Sequence, residues 1–179
     1  NVRYIRIHII TATSLGDSVS GGSALHISYA SSCGSCGGLD TYEYNTITGG
    51  IGTSLIYKNR GNPIIRNNNF VHKSETYLIY NNGNELDFEN NWWGTTTESE
   101  IQDLIYDWND DATLGFLDYD PYLTTPDTAA PLSPPKNVVK QESGGNVVLS
   151  WAANPESDVA GYKVHYGNYT GHSYATNTD

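Results

Sequence analysis

Residues 86–111, "LDFENNWWGTTTESEIQDLIYDWNDD", change their period partway along. The first part sets apolar Leu86 and Phe88 between polar neighbours, as in a strand whose successive side chains point to opposite faces. After Gly94, Ile101, Leu104, Ile105 and Trp108 fall at offsets 0, 3, 4 and 7, the stripe of an amphipathic helix. Thr97, followed three residues later by Glu100, has the form of a capping box, so a helix is expected over about 98–109.

Working back toward the N-terminus, three segments superpose: "YEYNTITGG" (42–50), "IIRNNNFVH" (64–72) and "LDFENNWWG" (86–94). Asn45, Asn68 and Asn90 take equivalent places, 23 and 22 residues apart, each followed two residues on by a large apolar residue: Ile47, Phe70 and Trp92. A second set, "SALHISY" (23–29), "SLIYKNR" (54–60) and "YLIYNNG" (77–83), precedes these at similar intervals. A repeat of this length holding short alternating strands is one rung of a solenoid, too thin to bury its own apolar face. Stacking would place the three asparagines in a ladder, each amide donating to the next and to backbone groups left open by the turn. The predicted helix would then cap the open end of the last rung. Between Leu25 and Leu55 the spacing lengthens to 30 residues, and "ASSCGSCGG" reads as an inserted loop.

The "IIRNNNF" pattern resembles the right-handed parallel β-helix repeat proteins over about residues 1–125, and "NNWWG" before a short helix and a "DD" turn resembles their closing segment. Residues 126–136 form a Pro-rich linker, with Pro126, Pro131, Pro134 and Pro135 close together. Beyond it, "VVLSW" with Trp151 and "NPESDVAGYKVHYG" with Tyr162 and Tyr166 resemble the opening strands of a fibronectin type III domain over 137–179. These resemblances imply an all-β protein: a right-handed parallel β-helix (solenoid) with a short C-terminal capping helix, then a partial fibronectin type III β-sandwich. Such a piece would expose its inner face at Trp151, Tyr162 and Val164 unless a further part of the domain or a neighbouring chain covers it.

Nine basic against twenty acidic side chains give a net charge of -11, which disfavours nucleic acid and anionic membranes as partners. No apolar run is long enough to span a bilayer, so membrane insertion is not expected. The chain has no methionine and opens inside a strand-like run, "VRYIRIHII", which points to processing or excision from a longer polypeptide. Its 18 Gly and 14 Tyr, with only 16% charged residues, suit an extracellular protein, and the resemblances imply a bacterial one, secreted or on the cell surface.

Candidate chemistry is sparse. Cys33 and Cys36 form a lone CxxC in a Gly/Ser loop, read as a local disulfide, with a reduced pair or half of a shared metal site as alternatives. Asp107, Asn109, Asp111 and Asp118 occupy positions 1, 3, 5 and 12 of a calcium loop, but Ala112 stands where its glycine belongs. A capped turn is therefore preferred to calcium, and no cofactor is expected. Lys58, Arg60 and Arg66 lack an acidic pair in phase, and His8, His26, His72, His165 and His172 share no ligand or triad spacing. No catalytic residue is assigned. Tyr4, Tyr29, Tyr42, Tyr44, Tyr57, Tyr77 and Tyr80 are candidate stacking platforms for a polysaccharide or glycan. Asn168-Tyr-Thr170 is formally an N-glycosylation sequon, and the triplets at Asp17 and Asp127 match a short O-glycosylation motif of exported bacterial proteins. The favoured function is scaffolding, adhesion or glycan binding without catalysis. The alternatives are the C-terminal part of a polysaccharide lyase or glycoside hydrolase, and an extracellular filament subunit completed by a neighbouring chain's strand.

Overall fold

The computed structural model describes residues 4–5, 25–27, 41–48, 53–59, 61–71, 76–166 and 175–178. In chain order the elements are β1 (Tyr4–Ile5), β2 (Leu25–Ile27), β3 (Thr41–Glu43), β4 (Thr46–Thr48), β5 (Ser54–Lys58), β6 (Ile64–Arg66), β7 (Asn69–Val71), β8 (Tyr77–Asn81) and β9 (Leu86–Asp87). Then come α1 (Glu98–Asp103), β10 (Ile105–Tyr106), β11 (Leu117–Asp118), β12 (Lys136–Ser143), β13 (Asn146–Ala152), β14 (Lys163–Tyr166) and β15 (Ala175–Thr178). The chain is all-β at this level, with one six-residue helix among the described residues.

The described strands fall into six small sheets: β1-β3-β6, β10-β8-β5-β2, β11-β9, β4-β7, β12-β13 and β14-β15. The first four are parallel and the last two antiparallel. Here the β-helix expectation is corrected. Among the described residues, the offset that separates Asn45 from Asn68 recurs where Thr41 of β3 pairs with Ile64 of β6, Thr46 of β4 with Asn69 of β7, Ser54 of β5 with Tyr77 of β8, and at the isolated bridge of Asn69 with Trp92. The other parallel pairs are offset further and unequally: Tyr4 with Thr41, Leu25 with Ile56, Ile79 with Ile105 and Leu86 with Leu117. The described strands therefore form short separate sheets and not a continuous solenoid stack. The strands of the parallel sheets are short because the backbone turns left-handed between them, at Tyr44 (φ 56°), Asn67 (φ 56°) and Asn90 (φ 57°).

Where the offset is regular, the asparagines stack. The backbone N–H and Nδ2 of Asn45 both donate to Oδ1 of Asn68 at 3.0 Å, and those of Asn68 both donate to Oδ1 of Asn91 at 3.0 Å. The same Nδ2 groups reach backbone carbonyls: Asn68 those of Tyr42 (2.8 Å) and Arg66 (2.9 Å), Asn91 those of Ile65 and Phe88 (both 2.7 Å). All three side chains are buried, so these bonds satisfy peptide groups that water cannot reach.

The third member is thus Asn91, one residue later than Asn90, which occupies the left-handed turn instead. The aromatic column shifts with it. Asn69 bridges Trp92, so Phe70 aligns with Trp93, which is 1% exposed. Phe70 stacks on Phe88 at 5.3 Å, and Trp93 lies 5.3 Å from Phe88 and 6.0 Å from Phe70. With Ile47, Leu55, Ile56, Ile65, Leu78 and Ile79 they make one core. Each such side chain contributes about 1.5–3 kcal/mol on burial.

The helix is half its expected length. Leu104 caps it, and Ile105 leaves to pair with Ile79 as the edge of the four-stranded sheet. Ile101 is fully buried, whereas Trp108 is 53% exposed and lies outside the helix. The capping box does not form either: Thr97 makes no side-chain cap bond, and Glu100 accepts from the Thr95 hydroxyl.

Residues 127–133 are hydrogen-bonded at both sides. Asn69 Nδ2 donates to the carbonyl of Asp127 (2.9 Å) while its Oδ1 accepts the Asp127 N–H (2.8 Å), so the side chain imitates a strand partner. The Thr46 hydroxyl donates to the carbonyl of Pro131. Further on, the Ser133 N–H donates to Glu156 Oε1 (2.7 Å), and Asn154 Nδ2 to the Ser133 carbonyl. The fibronectin type III resemblance is corrected as well. The C-terminal strands make two separate two-stranded antiparallel sheets, the first turning at Gly144 and Gly145 (φ 58° and 81°), and no sandwich is formed among the described residues. Trp151 and Tyr162 are half-buried, edge to face at 5.1 Å; the open apolar residues are Val138, Val139, Val147, Val148 and Leu149.

Candidate functional site

In the four-stranded sheet, parallel in-register pairing sets Tyr57 beside Tyr80 and Tyr80 beside Tyr106, with His26 of β2 at the next register position. Parallel strands lie about 4.8 Å apart, so like side chains leave the sheet stacked. The Tyr57 and Tyr80 rings lie 5.4 Å apart at 32°, and those of Tyr80 and Tyr106 lie 4.7 Å apart at 24°. Tyr77 tilts against Tyr106 at 5.0 Å and 51°. All four are half-buried. Because the rings cover one another's faces, the column presents ring edges and a row of phenol hydroxyls. The Tyr57 hydroxyl accepts from Asn82 Nδ2 at 2.6 Å. Burial raises the Tyr80 phenol pKa above its ordinary value, helped by Tyr106, Tyr57, Asp111 and Tyr77, so its hydroxyl stays protonated.

Of the tyrosines named from sequence, the structure brings Tyr57, Tyr77 and Tyr80 together and adds Tyr106. Tyr42 is instead in the core, and Tyr44 occupies a left-handed turn. Tyr29 and the side chain of Tyr4 lie outside the described residues.

A second cluster was missed in the sequence. The pairing of β9 with β11 sets Asp87 directly across from Asp118. Together with Glu85 and Glu89 they line a groove of about 560 Å³ that also includes Ile64, Leu86 and Phe116. Asp87 raises the Glu89 carboxyl above the usual carboxylate range, with smaller effects from burial, Asp118 and Asp120. Arg66, in register with Glu43, forms an ion pair with it that raises the guanidinium pKa further, and Asp87 also acts on it. Asp87 and Asp118 are thus a carboxylate pair outside the phase of the repeat, since β9 and β11 pair at a longer offset than β3 with β6. Its signal was the D-x-E of "LDFEN" and the D-x-D of "FLDYD", acids on alternate residues at and just beyond the ends of two strands that pair.

Lys58, grouped by sequence with Arg60 and Arg66, is 0% exposed. Its Nζ donates to the carbonyl of Asn84 at 2.7 Å, and burial pulls its pKa down from 10.5 to about 8. Asn81, its register partner, is equally buried; its Nδ2 donates to the carbonyls of Gly115 (2.9 Å) and Asn84 (3.1 Å), while its Oδ1 has no partner.

Of the calcium-loop candidates, Asp107, Asn109 and Asp111 lie in the segment between β10 and β11, and Asp118 lies on β11. Asp107 is buried, with Oδ1 accepting the N–H of Asn109 (2.9 Å) and Oδ2 that of Leu117 (2.8 Å). Asp111 accepts the Thr113 N–H and hydroxyl, which hold its carboxyl below the usual range. Asp118 accepts the N–H of Asp120 and belongs to the acidic groove. Among the described residues no group of three His, Cys, Asp or Glu side chains is arranged to hold a metal ion. Cys33 and Cys36, the Asn168 sequon, Asp17, Arg60, His8, His72, His172 and the side chains of His26 and His165 lie outside the described residues. No helix of the described residues is long and apolar enough to cross a membrane.

No protein-family model, no curated protein and no solved structure matches this chain, so with the short separate sheets the motif-based resemblances to the parallel β-helix and fibronectin type III families are withdrawn.

Proposed function

We propose that this chain is a non-catalytic scaffolding and adhesion segment of an extracellular bacterial protein, secreted or held at the cell surface, that binds polysaccharide along the tyrosine column. The observation that carries the reading is the row of Tyr57, Tyr80 and Tyr106, with rings 5.4 Å and 4.7 Å apart. A phenol edge offers an apolar surface ending in a hydroxyl that both donates and accepts, which suits the C–H and O–H groups of a sugar. The net charge of -11 favours neutral or cationic glycans over polyuronates. Affinity electrophoresis in gels of neutral, cationic and anionic polysaccharides tests it. Retardation is expected in a neutral or cationic gel, and Tyr80→Ala or Tyr106→Ala should weaken it about fivefold, in line with the ~1 kcal/mol of a lost hydrogen bond. Equal retardation of wild type and both variants would remove the column from any binding.

A second reading, the C-terminal part of a polysaccharide lyase or glycoside hydrolase, is favoured by the groove between Asp87, Glu89 and Asp118, where paired carboxylates and one raised pKa suit acid and base work. Release of reducing ends by the wild type, and its loss in Asp87→Asn and Asp118→Asn, would support that reading.

A further inference from the structure

Tyr80 and Tyr106 are the tightest tyrosine pair of the column. Their ring centroids are 4.7 Å apart with planes 24° from parallel, against 5.4 Å and 32° for Tyr57 with Tyr80, 5.0 Å and 51° for Tyr77 with Tyr106, and 6.2 Å and 40° for Tyr119 with Tyr122. The two residues are register partners on adjacent parallel strands. Side chains at partnered positions leave the sheet in the same direction, so corresponding ring atoms, including the carbons ortho to each hydroxyl, lie side by side. Both rings are half-buried and keep their edges within reach of small diffusible reagents. The strand carrying Tyr106 is only two residues long, Ile105 and Tyr106, and it forms the edge of its sheet. So short an edge is the part of the sheet most readily opened.

We propose that Tyr80 and Tyr106 are an oxidative cross-linking site, joined by a one-electron oxidant into a dityrosine bridge that fixes β10 to β8. Each phenol loses one electron to the oxidant and its hydroxyl proton to water, leaving two phenoxyl radicals. These pair through a new bond between ortho carbons. The hydrogen on each coupling carbon then leaves as a proton while the phenol oxygen regains one, and both rings become aromatic again. Two phenols thus give one biphenol, two protons and two electrons. One hydrogen peroxide, acting through a peroxidase, accepts those electrons and protons and becomes two waters. Stacking directs the outcome: a radical formed at Tyr57 or Tyr77 is passed to its neighbours in ring contact, and the pair at 4.7 Å captures it. The proposal does not rest on polysaccharide binding, because the phenols react whether or not the column holds a sugar.

The test uses the full chain at micromolar concentration, illuminated with a ruthenium tris-bipyridyl complex and one equivalent of persulfate, which takes up the two electrons as it becomes two sulfates. The product should remain a monomer, lose the mass of two hydrogens, and on proteolysis yield one joined peptide containing Tyr80 and Tyr106. Tyr80→Phe and Tyr106→Phe preserve the stacked ring but form no phenoxyl radical, and each should abolish that peptide. Tyr57→Phe should leave it in place. The cross-linked monomer should also melt at a higher temperature than the untreated chain. Absence of an intrachain product, a bridge mapped to other tyrosines, or an undiminished yield in Tyr106→Phe would each overturn the proposal.

Discussion

Replacing Lys58 with methionine removes a buried charge while nearly preserving side-chain length. The Lys58 ammonium is 0% exposed, and burial lowers its pKa from 10.5 to about 8. At 1.36 kcal/mol per pH unit, this disfavours the charged form in the folded protein by about 3 kcal/mol. Below pH 8 both folded and unfolded chains carry the proton, and the full penalty is present. Between pH 8 and 10.5 the unfolded chain holds more protons than the folded one, so stability rises with pH. Above 10.5 both are neutral and the penalty is gone. Methionine forfeits the bond to Asn84, worth about 1 kcal/mol in the neutral form, but strands no acceptor, because Asn81 Nδ2 also donates to that carbonyl at 3.1 Å. Lys58→Met should therefore be about 2 kcal/mol more stable than wild type at pH 7, and the advantage should vanish as the pH approaches 10.5. Urea unfolding of both proteins at intervals from pH 6.5 to 10 reads this directly, since the tyrosines titrate alike in each and cancel in the difference. A difference that stays constant with pH, or a variant less stable than wild type at pH 7, would refute the assignment of an unpaired buried ammonium.

Asn68→Leu deletes five side-chain hydrogen bonds inside the core, and urea unfolding should show a loss of about 4 kcal/mol, whereas Asn82→Leu at the surface should change stability by about 0.5 kcal/mol or less. Gly115→Ala would place its Cβ 2.2 Å from the carbonyl carbon of Asn84 and 2.4 Å from the Gly83 oxygen, and a loss of about 3 kcal/mol or failure to fold is expected by the same measurement. Asp87→Asn removes the largest influence on Glu89, so the Glu89 carboxyl, followed by NMR titration, should titrate at a lower pH than in wild type.

The recurrence of asparagine was legible because it arises from pairing that repeats: Asn45 meets Asn68, and Asn68 meets Asn91, at the same interval of 23 residues. Its phase was not. In "ENNWWG" two asparagines precede two tryptophans, and alternation alone gives no reason to prefer the first of each. Constancy of the interval decides it. The step from Asn45 to Asn68 equals that from Asn68 to Asn91, as the step from Ile47 to Phe70 equals that from Phe70 to Trp93. Only that choice places Asn91 where it accepts from Asn68 and leaves Asn90 for the left-handed turn. A one-residue slip exchanges the two faces of a strand, so the error moved the whole aromatic column.

The helix end and the acidic groove both depend on partners distant in the chain. The stripe Ile101, Leu104 and Ile105 satisfies a helix, yet Ile105 also fits a strand, and an open sheet edge beside Ile79 offers it backbone pairing that one more helical turn cannot match. A local pattern could not weigh a partner as distant in the chain as Ile79. Asp87 and Asp118 posed the same difficulty over a longer span, because their meeting depends on β11 pairing with β9 at an offset that the repeat does not contain. The repeat revealed what recurs with it, the asparagine stack and part of the tyrosine column. Tyr106 and the carboxylate pair lie where the offset between paired strands has lengthened, so the least periodic part of the chain completes the tyrosine column and forms the acidic groove.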